Sequence, residues 1–146
     1  MQRIRLRSLI GCSLAASMSL LFVSCSGASL YPVKGKVLYK GQPLAKAVVS
    51  FSPKGGNPDF KGLPSTGLTE DDGTFTIKTG GREGAPAGEY IVTITCLEEV
   101  AAKGGIANGA PEMKDKLGGA YGDQAKSKIF VTVKAGENQL DPFDLK

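Results

Sequence analysis

The sequence predicts an all-β fold: a seven-stranded antiparallel β-sandwich with Greek-key connections and one long irregular loop. Three observations carry the prediction. Apolar residues recur at every second position in short runs, and Gly, Pro, Asn and Asp separate those runs. Beyond residue 26 no long segment repeats at the helical period of 3.6 residues, so two packed sheets are the natural way to bury the alternating faces.

Each strand follows from its own residues. Val33 to Tyr39 is the first run, ended by Gly41-Gln42-Pro43, and Ala47 to Ser52 sets Ala47, Val49 and Phe51 on one face. A loop from Pro53 to Pro64 follows, with turn chemistry at Asn57-Pro58. Thr66 to Glu70 is expected to pair with Thr74 to Thr79 across Asp71-Asp72-Gly73, an Asp-Gly hairpin signal, with Phe75 and Ile77 inward. Glu89 to Leu97 puts Tyr90, Val92, Ile94 and Cys96 on one face. Lys128 to Lys134 turns Ile129, Val131 and Val133 inward, and Gln139 to Leu145 closes the fold as an edge strand because Pro142 cannot donate to a ladder. Residues 98–126 exceed what a structural connection needs; within them Pro111 to Leu117 has room for one or two helical turns.

The first twenty-five residues have a different logic. Arg3, Arg5 and Arg7 precede an apolar stretch from Leu9 to Val23, the layout of a secretory signal. That stretch is shorter than the roughly twenty residues a membrane-spanning helix needs. Phe22-Val23-Ser24-Cys25 resembles a bacterial lipobox, which implies acylation of Cys25 at the start of the mature chain. Leu9-Ile10-Gly11-Cys12 is a second match, but cleavage there leaves almost no apolar segment ahead of it. Phe22 departs from the usual leucine, so ordinary signal cleavage is the alternative. The expected organisation is a signal peptide over 1–24, a lipidated tether over 25–32 and one domain over 33–146. Location is expected in the cell envelope, on the periplasmic or surface side. Ser26 stands where an inner-membrane retention aspartate would sit, which points to the outer membrane.

Removing the signal changes the charge reading. Of 18 basic residues three lie in the signal, leaving 15 against 14 acidic residues, so no nucleic-acid partner is implied. Among three cysteines, Cys96 is left without an intramolecular partner once Cys12 is cleaved away and Cys25 acylated.

Several spacings then resemble a known family. Val33-x-Gly35-x-Val37, Gly41-x-Pro43-Leu44-x-x-Ala47-x-Val49-x-Phe51-x-Pro53, Thr69-x-x-x-Gly73-x-Phe75 and Pro86-x-Gly88-x-Tyr90-x-Val92-x-Ile94 resemble carboxypeptidase regulatory-like domains. Tyr121-Gly122-Asp123, Lys126-Ser127 and Val131-x-Val133-x-x-Gly136-x-Asn138 are similar to small bacterial lipoproteins that carry this domain. The resemblance covers nearly all of residues 33–145 and implies a transthyretin-like sandwich with no reaction of its own.

Chemistry is sparse. There is no histidine, which removes the usual general base and the commonest metal ligand. The purine-ring hydrolases of the transthyretin-like group rely on histidines and a Tyr-Arg-Gly-Ser ending; this chain ends Asp141-Pro142-Phe143-Asp144-Leu145-Lys146. No Gly-x-Ser-x-Gly or Ser-x-x-Lys element follows the signal. Glu70-Asp71-Asp72 offers carboxylates for calcium, but its position favours a turn. Gly80-Gly81-Arg82-Glu83-Gly84 lacks the lysine and helix of a phosphate loop and reads as a flexible turn. Cys96 reads as a buried apolar thiol. No catalytic residue, metal site or cofactor is expected.

The first functional reading is therefore a non-enzymatic, membrane-anchored structural or protein-contact module. The alternative is a carbohydrate-binding module with Tyr121 and Phe60 as aromatic platforms. Tyr31 is a further loop aromatic. Leu38, Ile91 and Phe130 fall on the outward phase of their strands and form either a contact patch or the floor beneath the long loop.

Overall fold

Alternation in sequence becomes alternation in burial. The structure is a computed structural model and describes residues 29–55, 62–100 and 112–146; Cys25, Ser26 and Phe60 lie outside the described residues. Among the described residues the chain is all-β, with no helix. β1 (Val33–Tyr39) buries Val33 and Val37, β2 (Gln42–Pro43) turns back on it, and β3 (Val48–Pro53) buries Val49 and Phe51. β4 (Ser65–Leu68), β5 (Thr74–Thr76), β6 (Lys78–Thr79) and β7 (Arg82–Glu83) follow as short pieces. β8 (Gly88–Thr95) buries Tyr90, Val92 and Ile94. β9 (Leu97–Val100), β10 (Glu112–Asp115), β11 (Ile129–Val133), β12 (Asn138–Gln139) and β13 (Phe143–Leu145) complete the order.

Each of the seven expected runs therefore has a counterpart, but three of them break in two. β2, β7 and β10 are additional. Pro111 to Leu117 is not helical where it is described: Glu112–Asp115 pairs antiparallel with Leu97–Val100 as a two-stranded ribbon.

One sheet has the antiparallel order β11-β8-β3-β4-β6-β7. The other is built around β1, with β5 and β2 antiparallel on one side and β12 and β13 on the other. The chain crosses between layers after β2, β4, β5 and β11, the interleaving of a Greek key. One cluster of buried residues draws on both sheets, so they share a core. Each fully buried Val, Ile or Phe in it contributes about 1.5–3 kcal/mol.

Two pairings differ from expectation. β1 runs parallel to β12 and β13, Val33 beside Asn138 and Val37 beside Phe143, because both strands point the same way when the chain's ends meet in one layer. The expected Asp-Gly hairpin is only half a hairpin. Its turn closes, with Gly73 N–H donating to Glu70 C=O (2.9 Å) and Glu70 N–H to Thr74 C=O (2.8 Å). Thr74 to Thr76 then pair with β1, and only Lys78–Thr79 return to β4. The cause is Gly35: it stands opposite Phe75, and a Cβ there would lie 2.6 Å from the Phe75 ring. The bare glycine gives the aromatic ring its seat on β1. Ile77, fully buried, marks where the strand changes sheets.

A short polar chain crosses this corner. Ser65 Oγ and Thr79 Oγ1 are 2.8 Å apart and both buried, and Thr79 donates to the Gly84 carbonyl at 2.7 Å. Thr79's proton is thus committed, so Ser65 is the donor of the pair. Replacing Thr79 by Val keeps the shape and strips both bonds; a loss of about 2 kcal/mol is expected from the unsatisfied Ser65 and Gly84 groups. Urea unfolding measures it, with Thr79→Ser as the control that stays within about 1 kcal/mol of the parent.

Candidate interaction groove

The two sheets each end in an edge strand on the same side of the sandwich, β11 and β12–β13. Between them runs a groove of about 520 Å³, lined by Tyr121, Lys128, Phe130, Pro142, Phe143 and Asp144 among others. Among the described residues β11 pairs only with β8, and β12 and β13 only with β1, so each is an edge strand beside the groove. Pro142 sits in the break between β12 and β13, where an edge strand tolerates it.

Tyr121 closes one end. Its carbonyl accepts from Ile94 N–H (2.9 Å) in one sheet. Its hydroxyl accepts from Lys146 N–H (3.0 Å) and donates to Lys146 C=O (3.2 Å) beyond β13 in the other. The expected aromatic platform is therefore a half-buried clasp between sheets. Phe130 is the exposed aromatic, 61% accessible, cross-strand from Ile91 and with Lys54 Nζ 5.9 Å from its ring centre. Leu38 lies on β1 in the opposite sheet, so the three outward residues do not form one patch. Residues 101–111 of the long loop lie outside the described residues.

Other singled-out residues have local duties. Tyr31 forms a bridge with Ala85, so it belongs to the sandwich. Asp72 accepts from Thr74 N–H (2.9 Å) and Thr74 Oγ1 (2.6 Å), and these bonds hold its carboxyl below the usual carboxylate value. Among the described residues no group of three potential ligands converges on a metal position. Gly80 and Gly81 form the tight turn between Thr79 and Arg82, with φ of 56° and 82°. Cys96 is buried beside the Ala45 carbonyl (Sγ to O 3.6 Å), and burial pushes its thiol pKa up, the environment of an inert thiol.

A residue that drew no notice in the sequence organises the base of the ribbon. Asp115 Oδ1 accepts from Cys96 N–H (3.0 Å) and Leu117 N–H (3.1 Å), and Oδ2 accepts from Gly119 N–H (2.8 Å). Partial burial raises its pKa, but the three donors together outweigh this and hold the carboxyl below its ordinary value. A depressed pKa means the anchoring is complete above the unfolded value and is lost as pH falls through the folded one. Protection of the Cys96, Leu117 and Gly119 amides, relative to their intrinsic exchange rates, is expected to fall as pH drops below the ordinary carboxylate value of about 4. Asp115→Ala should show the same loss of protection at neutral pH and cost about 1–2 kcal/mol, reduced by the solvent exposure of the site. Unchanged exchange in that variant would sink the assignment.

With fold and groove defined, the chain is a β-sandwich module. No protein-family model matches it, and no curated protein matches it. Among solved structures it resembles a 9R-lipoxygenase from Cyanothece PCC8801 (13% identity over 80% of this chain and 16% of the other, TM-score 0.41). A DUF3823 family protein from Parabacteroides merdae matches at 19% identity over 78% of this chain and 45% of the other, TM-score 0.39. A Pseudomonas aeruginosa protein described as a "putative carbohydrate binding protein" matches at 10% identity over 81% and 90%, TM-score 0.42. The chain spans less than half the length of the first two.

Proposed function

We propose that this protein is a non-catalytic, lipid-anchored β-sandwich of the cell envelope, a carboxypeptidase regulatory-like module that makes protein contacts through the β11–β13 groove. The observation that carries the reading is the groove itself. Two backbone edges border it, and an exposed Phe130 stands at its rim. Free edges bind an extended polypeptide through main-chain hydrogen bonds, while a neighbouring aromatic supplies buried area and selectivity. The absence of histidine from the sequence and the turn duties of Asp72 and Asp115 support a binding role over a catalytic one.

Anchoring is tested by intact-mass measurement of the membrane fraction: an acylated chain beginning at Cys25 is expected, and an unmodified Cys25 ends that half of the reading. Contact is tested with a photo-crosslinking residue at Phe130, or at Thr66 on the same sheet away from the groove. A polypeptide adduct at 130, absent at 66 and abolished by Asp144→Arg, is expected. Glycan-array binding that disappears on substituting Tyr121 or Phe60, with no polypeptide adduct, would instead establish the carbohydrate-binding alternative.

A further inference from the structure

We infer that β11 is the edge to which a partner strand adds, antiparallel and opposite Phe130 and Thr132, and that the lysines flanking this stretch select an acidic partner and turn away a second copy of the chain. The inference deepens the groove reading proposed above and rests on it.

The hydrogen-bonding side of each residue follows from bonds already fixed. In an antiparallel sheet a residue's N–H and C=O point to one side, and successive residues alternate. Lys54 N–H donates to Glu89 C=O (2.8 Å), so Glu89 turns to β3 while Tyr90 and Val92 turn to β11. The residues opposite them, Val131 and Ile129, therefore bond β8, and Phe130 and Thr132 turn their N–H and C=O outward. Lys134 has the same phase. Its N–H donates to Asn138 Oδ1 (2.9 Å) and its C=O accepts from Asn138 Nδ2 (2.9 Å), so this amide caps the edge and Phe130 and Thr132 are the open stretch.

The opposite wall does not match this. Leu145 C=O accepts from Lys40 N–H (2.8 Å) toward β1, and the Tyr121 hydroxyl holds both the N–H and the C=O of Lys146. Pro142 has no N–H. Of β13 that leaves Asp144 turned outward, and one residue makes no ladder.

Side chains then define the partner. Lys128, Phe130, Thr132 and Lys134 are exposed on the outer face of their sheet, while Val131 and Val133 are buried on the inner one. A strand added in register sets its residues directly opposite this row, where unlike charges attract and like charges repel. Two copies joined through β11 about Val131 would set Lys128 against Lys134 twice, which is how lysines keep sheet edges from pairing with themselves. A partner with carboxylates at those two places turns the same lysines into attractions. Its inner side chains meet the half-buried Ile129, Leu140 and Phe143 in the groove, so they are apolar.

The acids nearby leave both lysines available. Glu89 stands behind Thr132 on β8 and is met by Lys54 (3.7 Å). Glu137 lies in the turn beyond Lys134, yet among the described residues neither Lys128 nor Lys134 forms an ion pair. Asp141 and Asp144 belong to the opposite wall. Asp144 alternates with the buried Leu145, so it leaves the core on the outer side of the other sheet.

The probes are two seven-residue peptides with an N-terminal fluorophore and a C-terminal amide. One is Glu-Val-Thr-Val-Tyr-Val-Glu, whose third and fifth residues fall opposite Thr132 and Phe130 and whose glutamates fall opposite Lys134 and Lys128. The other has lysines in place of the glutamates. Binding to the full chain is read by fluorescence anisotropy. The glutamate peptide is expected to bind about tenfold more tightly than the lysine peptide, and Lys128→Glu to narrow or reverse that preference. N-methylation at the third and fifth residues should abolish binding, while methylation at the fourth, whose N–H points away from β11, should leave it. Equal binding of the two peptides, no binding of either at millimolar concentration, or indifference to methylation overturns the inference. So does a chain that sediments as a dimer and is dissociated by both peptides alike, which makes a second copy the occupant. Photo-crosslinking at 130 keeps the two readings apart. An adduct there, with peptides blind to charge or methylation, loses only the edge pairing; no polypeptide adduct loses the groove itself.

Discussion

Replacing Gly73 by Ala is expected to cost about 3–4 kcal/mol, a large share of the 5–15 kcal/mol that holds a domain of this size together. Two separate penalties act at one position. The backbone φ of +80° strains any residue with a side chain, at about 1–2 kcal/mol. A Cβ there would also lie 2.5 Å from the Val37 carbonyl oxygen and 3.2 Å from Leu44 N. Neither neighbour is free to retreat, because Val37 N–H donates to Gly73 C=O and Leu44 N–H to Val37 C=O. Gly81 is the control: its φ is +82°, but nothing lies within 4 Å of a Cβ. Gly81→Ala should cost only about 1 kcal/mol. Equal urea midpoints for the two variants would refute the clash.

Ile77→Ala is the second large effect, expected at about 3–4 kcal/mol, with Ile77→Val near 1. Ile77 is fully buried, and its N–H donates to Val33 C=O (3.0 Å) just where the strand leaves one sheet for the other. A cavity here opens beneath both sheets at once, so neither can relax alone to fill it. Thermal or urea unfolding of the two variants gives the ratio. A loss for Ile77→Ala no larger than that for Ile77→Val would show that the corner collapses freely.

Strand position and facing were legible in the sequence because burial has the same period as the pattern: Val49, Phe51, Val92, Ile94, Val131 and Val133 all face inward as read. Pairing was less legible. The Asp-Gly signal identifies a turn, but the partner of Thr74–Thr76 is chosen by Gly35, some forty residues earlier, and no local pattern encodes that choice. The ribbon escaped for another reason. Its two strands expose most residues on both faces, so they lack the alternation that betrays a half-buried strand.

Of the candidate site, Tyr121 was visible as a loop aromatic. Its hydrogen bonds to Lys146 were not, nor was the groove, because distant parts of the chain build each side. Asp115 gave no signal at all, since one aspartate in a charged segment looks like any other.

The parallel seam between β1 and β12–β13 has a consequence for the order in which this molecule comes into being. Asn138 Nδ2 reaches the Pro32 carbonyl across 106 residues of sequence (3.3 Å). Contacts of such span are slow to form, because the whole intervening loop must close first. The first strand therefore has no lateral partner on that side until the last ten residues have been released. Export from the N-terminus, as proposed above, would leave the structure incomplete midway; it would lock only after the tail has crossed.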